Sequence, residues 1–323
     1  MYIIIEDKSD GEESNMAKSG FLYSDDNKRY HTQNYHLRKH FSSKVAKIPV
    51  DAGFTCPNLD GTKSHGGCIF CLDGSGINSQ KSLLEQFEEG KRTVRSKWEC
   101  DKFIVYLQTH SNTYAPVEKL EKIYRDVLDF EGVVGLTVST RPDCISDDVA
   151  TLLADISKNT YLTVEVGLQS VFDRTLEIIN RGHTFREFLD GYEKLKNRDV
   201  QIAVHLINGL PDESVSDMCE SVKTVASLDP FAMKLHLLYI ERGAEIEKFW
   251  REGRVKNFER EEYVNLLCDQ IETIPPHVVL ERLTGDGKRD RLLSPLWTLK
   301  KFAFLDEIDK EFERRGTFQG SRA

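Results

Sequence analysis

Cys56, Cys68 and Cys71 fall within the single stretch TCPNLDGTKSHGGCIFC. Thiolates bind iron and zinc, and three of them leave one position of a metal site open. Two occupants fit the C-x11-C-x2-C pattern. One is zinc completed by a fourth protein ligand, for which His65 is the neighbouring candidate; the other is a cubic iron–sulfur cluster with one iron free of protein. A disulfide framework fits less well, because the chain carries 7 cysteines, an odd number, and shows no secretory signal, so a reducing, cytoplasmic setting is expected. Cys100, Cys219 and Cys268 are isolated from one another, which argues against a second cluster.

The thiols need a scaffold, and the hydrophobic pattern describes one. Short β-rich runs are expected at Val45 to Val50, Phe103 to Gln108, Val133 to Ser139, Leu162 to Leu168, Val200 to Leu206 and Met233 to Tyr239. Between them lie stretches of helical period, such as Val117, Leu120, Ile123, Val127 and Leu128. Alternation of this kind builds a parallel sheet with crossover helices. Six units predict an incomplete α/β barrel; a closed eightfold barrel is the alternative, with Val278 to Leu283 as an extra strand.

Alternate residues of a strand face opposite sides. One side carries Val105 and Leu107, Leu136 and Val138, Val164, Val166 and Leu168, Ile202, Val204 and Leu206, then Leu235 and Leu237. The other carries Tyr106 and Gln108, Thr137, Ser139 and Arg141, Glu165, Gly167 and Gln169, His205, then Lys234 and His236. The apolar sets must meet the helices, so the polar sets line the interior. Ordinary barrels fill that space with branched apolar side chains. A polar interior predicts a polar guest.

The chain has 323 residues, 39% hydrophobic and 30% charged, enough for one large α/β domain. Residues 1–27 read as a disordered or loosely attached arm and 28–323 as the core with a C-terminal helical extension. No apolar run approaches the roughly 20 residues that cross a membrane. A net charge of -9 argues against broad nucleic-acid affinity. Two local groups point the other way. Lys28, Arg29, Arg38, Lys39, Lys44 and Lys47, interleaved with Tyr30, Tyr35, His36, His40 and Phe41, are expected beside the cysteine loop; Arg282, Lys288, Arg289, Arg291, Lys300 and Lys301 cluster near Trp297. Such mixtures grip phosphates and stack unpaired bases, although solvated helix faces read the same way.

The loop VDAGFTCPNLDGTKSHGGCIFC, with YLQTHSNTYAP, STRPDC, EVGLQS, NRGHT, HLINGLPDE, KLHLLY and ERLTGDGKRDRLLSPLW, resembles the YhcC/YtqA-type group of radical S-adenosylmethionine (SAM) enzymes, which is related to the catalytic subunit of Elongator and more distantly to the oxygen-independent coproporphyrinogen oxidases. The resemblance implies an incomplete (β/α)6 barrel of the radical SAM type. It implies a 4Fe-4S cluster on Cys56, Cys68 and Cys71 whose free iron is chelated by SAM, with Gln169 and Arg181 contacting the SAM ribose and carboxylate. Ser139 and His205 take the corresponding strand-end positions, Gln108, Ser111 and Asn112 the region of the SAM amino group, and Gly209 a close approach to the adenine. Cys144, Lys234 and His236, with Lys47, Glu165, Arg282 and Asp286, are candidates for the substrate end. The implied substrate is the C5 side chain of tRNA wobble uridine, converted from carboxymethylaminomethyl to aminomethyl, with an external electron donor and a methyltransferase acting next. Two alternatives remain: the same machinery acting on a small metabolite or peptide, and a zinc-stabilised binding protein without catalysis.

Overall fold

A computed structural model describes residues 26, 28–72, 80–285 and 287–323. Apart from Asp26, the arm expected over residues 1–27 lies outside them, as does Asp286. The architecture is a curled, open, all-parallel sheet with helices on its outer face. In chain order the elements run α1 (Gln33–Phe41), β1 (Val45–Val50), α2 (Leu83–Arg95), β2 (Lys102–Leu107), α3 (Val117–Leu128), β3 (Val133–Thr140), α4 (Asp147–Ser157), β4 (Tyr161–Gln169), α5 (Asp173–Ile178), α6 (Phe185–Lys196), β5 (Gln201–Asn208), α7 (Val215–Ser227) and β6 (Ala232–Leu237). There follow β7 (Ile240–Glu241), α8 (Ile246–Arg251), α9 (Arg260–Ile271), β8 (Val279–Arg282), β9 (Leu292–Ser294) and α10 (Lys301–Arg315). Capping boxes start α2, α6 and α7, where Ser82, Thr184 and Ser214 satisfy backbone N–H groups left open in the first turn.

The sheet order is β1-β2-β3-β4-β5-β6-β8. Strand β8 is the extra strand foreseen at Val278 to Leu283, and it pairs in parallel with β6. Among the described residues no ladder joins β8 back to β1; a lone bridge from Thr32 to Leu280 spans that side. The half-barrel is therefore open at a seam. The apolar parity sets named above all lie in one core under the helices. The polar sets face inward, as their alternation requires.

The histidines of α1 meet the amino-terminal ends of the strands: His36 and His40 pack on Tyr161, the first residue of β4, and His36 also on Phe231 just before β6. This corrects the expected position of the first basic-aromatic stretch. All of the stretch but Lys47 precedes β1 and the cysteine loop follows it, so the six residues of the strand separate the two to opposite ends; Lys47, within β1, reaches Glu165 in the interior. At the carboxyl side of the chain α10 packs on α9 through buried Phe304, Ile308 and Phe312. Trp297 stacks against Tyr263 and Phe304 and donates its indole N–H to the Phe258 carbonyl, so it is a packing residue.

Candidate active site

The loop after β1 folds back across the barrel mouth. The Cys56 carbonyl accepts from the N–H groups of Leu59 and Asp60, and the Cys68 carbonyl from that of Cys71. Gly67, at φ +76, turns the chain where a Cβ would stand 2.9 Å from Leu59, a position suited to glycine. Asn58, fully buried, ties the loop to the turn after α5 by donating to the Asn180 carbonyl at 2.5 Å. Asn180 in turn donates to the Gly67 and His65 carbonyls. Sequence reading missed this pair, since nothing local announces a contact across 122 residues.

Cys56, Cys68 and Cys71 border one cavity of about 280 Å³ together with Gln108, Ser139, Gln169, Arg181 and His205. Cys56 and Cys68 are buried, and Cys71 is exposed at the rim. Arg181 sends Nη1 to the Cys68 sulfur at 3.5 Å and Nη2 to the Gly167 carbonyl at 2.6 Å, while its buried Nε has no partner among the described residues. Gly167 makes that approach possible, because a Cβ there would lie 2.8 Å from Nη2. Arg141, also at the cavity, forks onto both oxygens of Asp143 and donates to the Arg181 carbonyl. A hydrogen bond shared with Cys71, reinforced by Arg181 and Arg141, brings the Cys68 thiol down to about 5, and the proton left on the pair raises Cys71.

The remaining predicted cofactor residues divide. Asn112 sits one layer back, donating to the Ser139 carbonyl and hydroxyl, and Ser139 donates to the Leu107 carbonyl. Gly209 follows β5 with φ +90 and packs beneath Phe258 and Leu238, outside the lining of this cavity. Gln169 also has positive φ, at +82, where the β4–β5 register shifts, and its buried Oε1 is without a partner among the described residues.

Beneath the cavity lies an ionic cluster, of which parity placed Tyr106, Glu165 and Lys234 on one face. Burial opposes ionisation of Glu165, yet Lys234 and Lys47 hold its carboxyl well below the usual range. Lys47 lies 3.1 Å from both Glu165 and Glu281, Lys234 pairs with Glu165, and the Tyr106 hydroxyl donates to Glu165 at 2.6 Å. Burial raises Glu281. Glu281 went unnoticed in the sequence because it stands in a strand read only as an option. His205 and His236 meet edge to face at 4.3 Å, and burial keeps both neutral, His205 falling to about 3. His236 lines a second cavity of about 340 Å³ that shares Phe70, Cys71, Gln108 and His205 with the first. Cys144 stands apart, on a separate groove with Asp143 and Lys194, and burial pushes its thiol up to about 11.

The donor set fits a cluster better than zinc. Among the described residues no three His, Cys, Asp or Glu side chains converge closely enough for one metal ion, whereas a cube takes each thiolate on a different iron. His65 packs on Gly61 and is absent from the cavity lining. Hydrogen bonds to a cluster's sulfurs tune it, and Asn58 and Arg181 both direct N–H groups at Cys68.

Comparison with known proteins agrees. Residues 62–225 match the model of the Radical SAM superfamily, and residues 230–314 that of the Radical_SAM C-terminal domain. YtqA of Bacillus subtilis is 44% identical over 94% of this chain and 96% of its own length. The tRNA uridine(34) acetyltransferase of Methanocaldococcus infernus is 24% identical over 77% of this chain, which spans 54% of that protein. Among solved structures, archaeal Elp3 from Methanocaldococcus infernus superposes with a TM-score of 0.64 at 17% identity, covering 85% of this chain and 64% of that one. No helix among the described residues is long and apolar enough to cross a membrane.

Proposed function

The chain belongs to the radical SAM superfamily, and from that membership we propose that it modifies the C5 side chain of tRNA wobble uridine, converting a carboxymethylaminomethyl group to an aminomethyl group. The superfamily uses a 4Fe-4S cluster and SAM, which when bound supply a carbon-centred radical able to remove a hydrogen atom from a substrate. Cys56, Cys68 and Cys71 would hold the cluster. Gln169 and Arg181 would hold SAM beside them, the Arg181 Nε, without a partner among the described residues, offering a donor to an anionic group. Ser139, His205 and Gln108 complete that wall, and Asn112 fixes Ser139 from behind.

The protein's own contribution is placement and exclusion of water. Arg141, locked on Asp143, holds the Arg181 backbone under the thiols. At the substrate end His236 lines the adjoining cavity, and Lys234 acts through Glu165 and Tyr106, which reach the first. Cys144 and Gly209 line neither cavity; each stands behind a residue that does, Cys144 behind Arg141 and Gly209 behind Leu238.

The observation that carries the tRNA assignment is the likeness to a tRNA uridine(34) acetyltransferase across 77% of this chain. A small metabolite or peptide is the second reading, favoured by the position of the α1 basic stretch at the far end of the barrel. Nucleoside analysis of tRNA from cells with and without the gene tests the choice: accumulation of the carboxymethylaminomethyl form in the deletion supports tRNA, and unchanged wobble uridines overturn it. Purified tRNA, SAM and a one-electron donor for priming should give the aminomethyl product in vitro, the form a methyltransferase would consume; the C–N bond would break with uptake of water, the carboxymethyl carbons leaving as a two-carbon oxo acid and SAM, split to methionine and deoxyadenosine, taking up the two electrons.

A further inference from the structure

The motif ERLTGDGKRD borders the second cavity, and the thiol site does not account for it. Its two glycines are the informative feature. A Cβ on Gly285 would stand 2.4 Å from Cδ1 of Tyr239 and 2.7 Å from the Leu237 carbonyl oxygen; one on Gly287 would stand 3.1 Å from Cδ2 of the same ring and 2.7 Å from Leu292. Gly285 and Gly287 thus stand at the two edges of the Tyr239 ring, and at Gly285 a side chain would meet both the ring and the backbone of β6. The loop is itself anchored. The Glu241 carboxylate accepts the Lys288 backbone N–H at 2.6 Å, the Leu292 N–H donates to the Lys288 carbonyl, and β7 pairs with β9 just beyond.

Tyr239 is therefore a fixed aromatic wall of the 340 Å³ cavity, which Phe70, His236 and Lys288 also line. The cavity shares Cys71 and Gln108 with the thiol site, so its occupant lies next to the reacting centre. Its polar groups suit a neutral heterocycle. Arg282 can only donate, so its 3.5 Å contact with His236 Nε2 leaves the neutral ring its proton on Nδ1, as a donor for a carbonyl. Among the described residues the one carboxylate in the lining, Glu241, is occupied by the Lys288 backbone N–H.

We propose that this cavity receives a single pyrimidine base swung out of its RNA stack and laid on the Tyr239 ring, with Lys288 serving the adjoining phosphate. The inference rests on the tRNA reading and specifies it: a base left in a stacked anticodon could not enter a recessed cavity, and enzymes that act on a base commonly extrude it. Stacking on an aromatic side chain needs no base-specific contact, which leaves discrimination to His236 and its neighbours.

The test uses reconstituted holoenzyme and two synthetic anticodon stem-loops, one with uridine at the wobble position and one abasic there, with binding read by fluorescence anisotropy. Wild-type protein should prefer the intact hairpin by about five-fold or more, the range that stacking of one base supplies. Tyr239→Ala should remove the preference while binding the abasic hairpin as before, and Tyr239→Phe should keep it; Tyr239→Leu, which fills the volume without a ring, replaces the alanine variant if that one does not fold. Equal binding of both hairpins by wild type, or a preference unchanged in Tyr239→Ala, overturns the base cavity and leaves the tRNA reading standing. Failure to bind either hairpin overturns both.

Discussion

Histidines gather at both ends of this barrel, and the two groups have opposite fates. At the lower end His31, His36 and His40 stack among Tyr35, Phe41, Tyr161 and Phe231 and close the barrel floor. At the upper end His205 and His236 stand between an ionic cluster and two cavities that reach the thiols. Burial lowers His36, His205 and His236 alike, so the direction of titration does not separate packing from function. What separates them is depth along the strand and a cavity to face: Gln169 Oε1, Arg181 Nε and His205 Nε2, without partners among the described residues, all border the upper cavity, whereas His36 Nε2, equally without one among them, is packed against rings.

That contrast can be broken most severely at the thiols. Cys68→Ala should abolish cluster assembly and SAM cleavage while the circular dichroism of the barrel persists; deoxyadenosine formation by that variant would remove Cys68 from the ligand set. Next comes Glu165→Ala, which strands Lys234 in the interior and leaves Lys47 with Glu281. Removing one partner of a buried ion pair costs about 3–5 kcal/mol, and denaturant unfolding should show a loss of that order, partly recovered by adding Lys234→Met. An unchanged midpoint would mean that water already screens the cluster.

Arg181→Ala should weaken SAM binding by about 1–3 kcal/mol, the worth of a charge-assisted hydrogen bond, measured as a dissociation constant by calorimetry under anaerobic conditions. The smallest effect belongs to the lower end. His36 titrates near 6.5 when unfolded but falls to about 4 in the fold, through burial and then His31 and His40. The unfolded chain therefore binds more protons in between, and the stability present above pH 6.5 is lost as pH drops through about 4. His36→Phe should flatten that slope in thermal melts and leave SAM affinity as it was; an unaltered slope would assign the loss to other groups.

Much of this was legible from alternation alone. The inward face of Tyr106, Ser139, Glu165, His205 and Lys234 follows from strand period, because a parallel sheet covered by helices on one side admits no other placement of its polar set. The three cysteines were legible as a group because they share one loop. The links from Asn58 to Asn180 and from Arg141 to the Arg181 backbone were not, since they join segments distant in the chain and leave no periodic trace. Nor was the end of the barrel that α1 occupies. Neighbours in sequence across a strand of six residues are separated by its whole length, roughly 20 Å at the usual rise.

The unpaired seam between β1 and β8 has a mechanical meaning. In a closed barrel, strand number and stagger together fix the girth; here the gap is held instead by a few contacts, among them the Thr32–Leu280 bridge and the Lys47–Glu281 ion pair, so its aperture answers to those contacts and not to a row of ladder bonds.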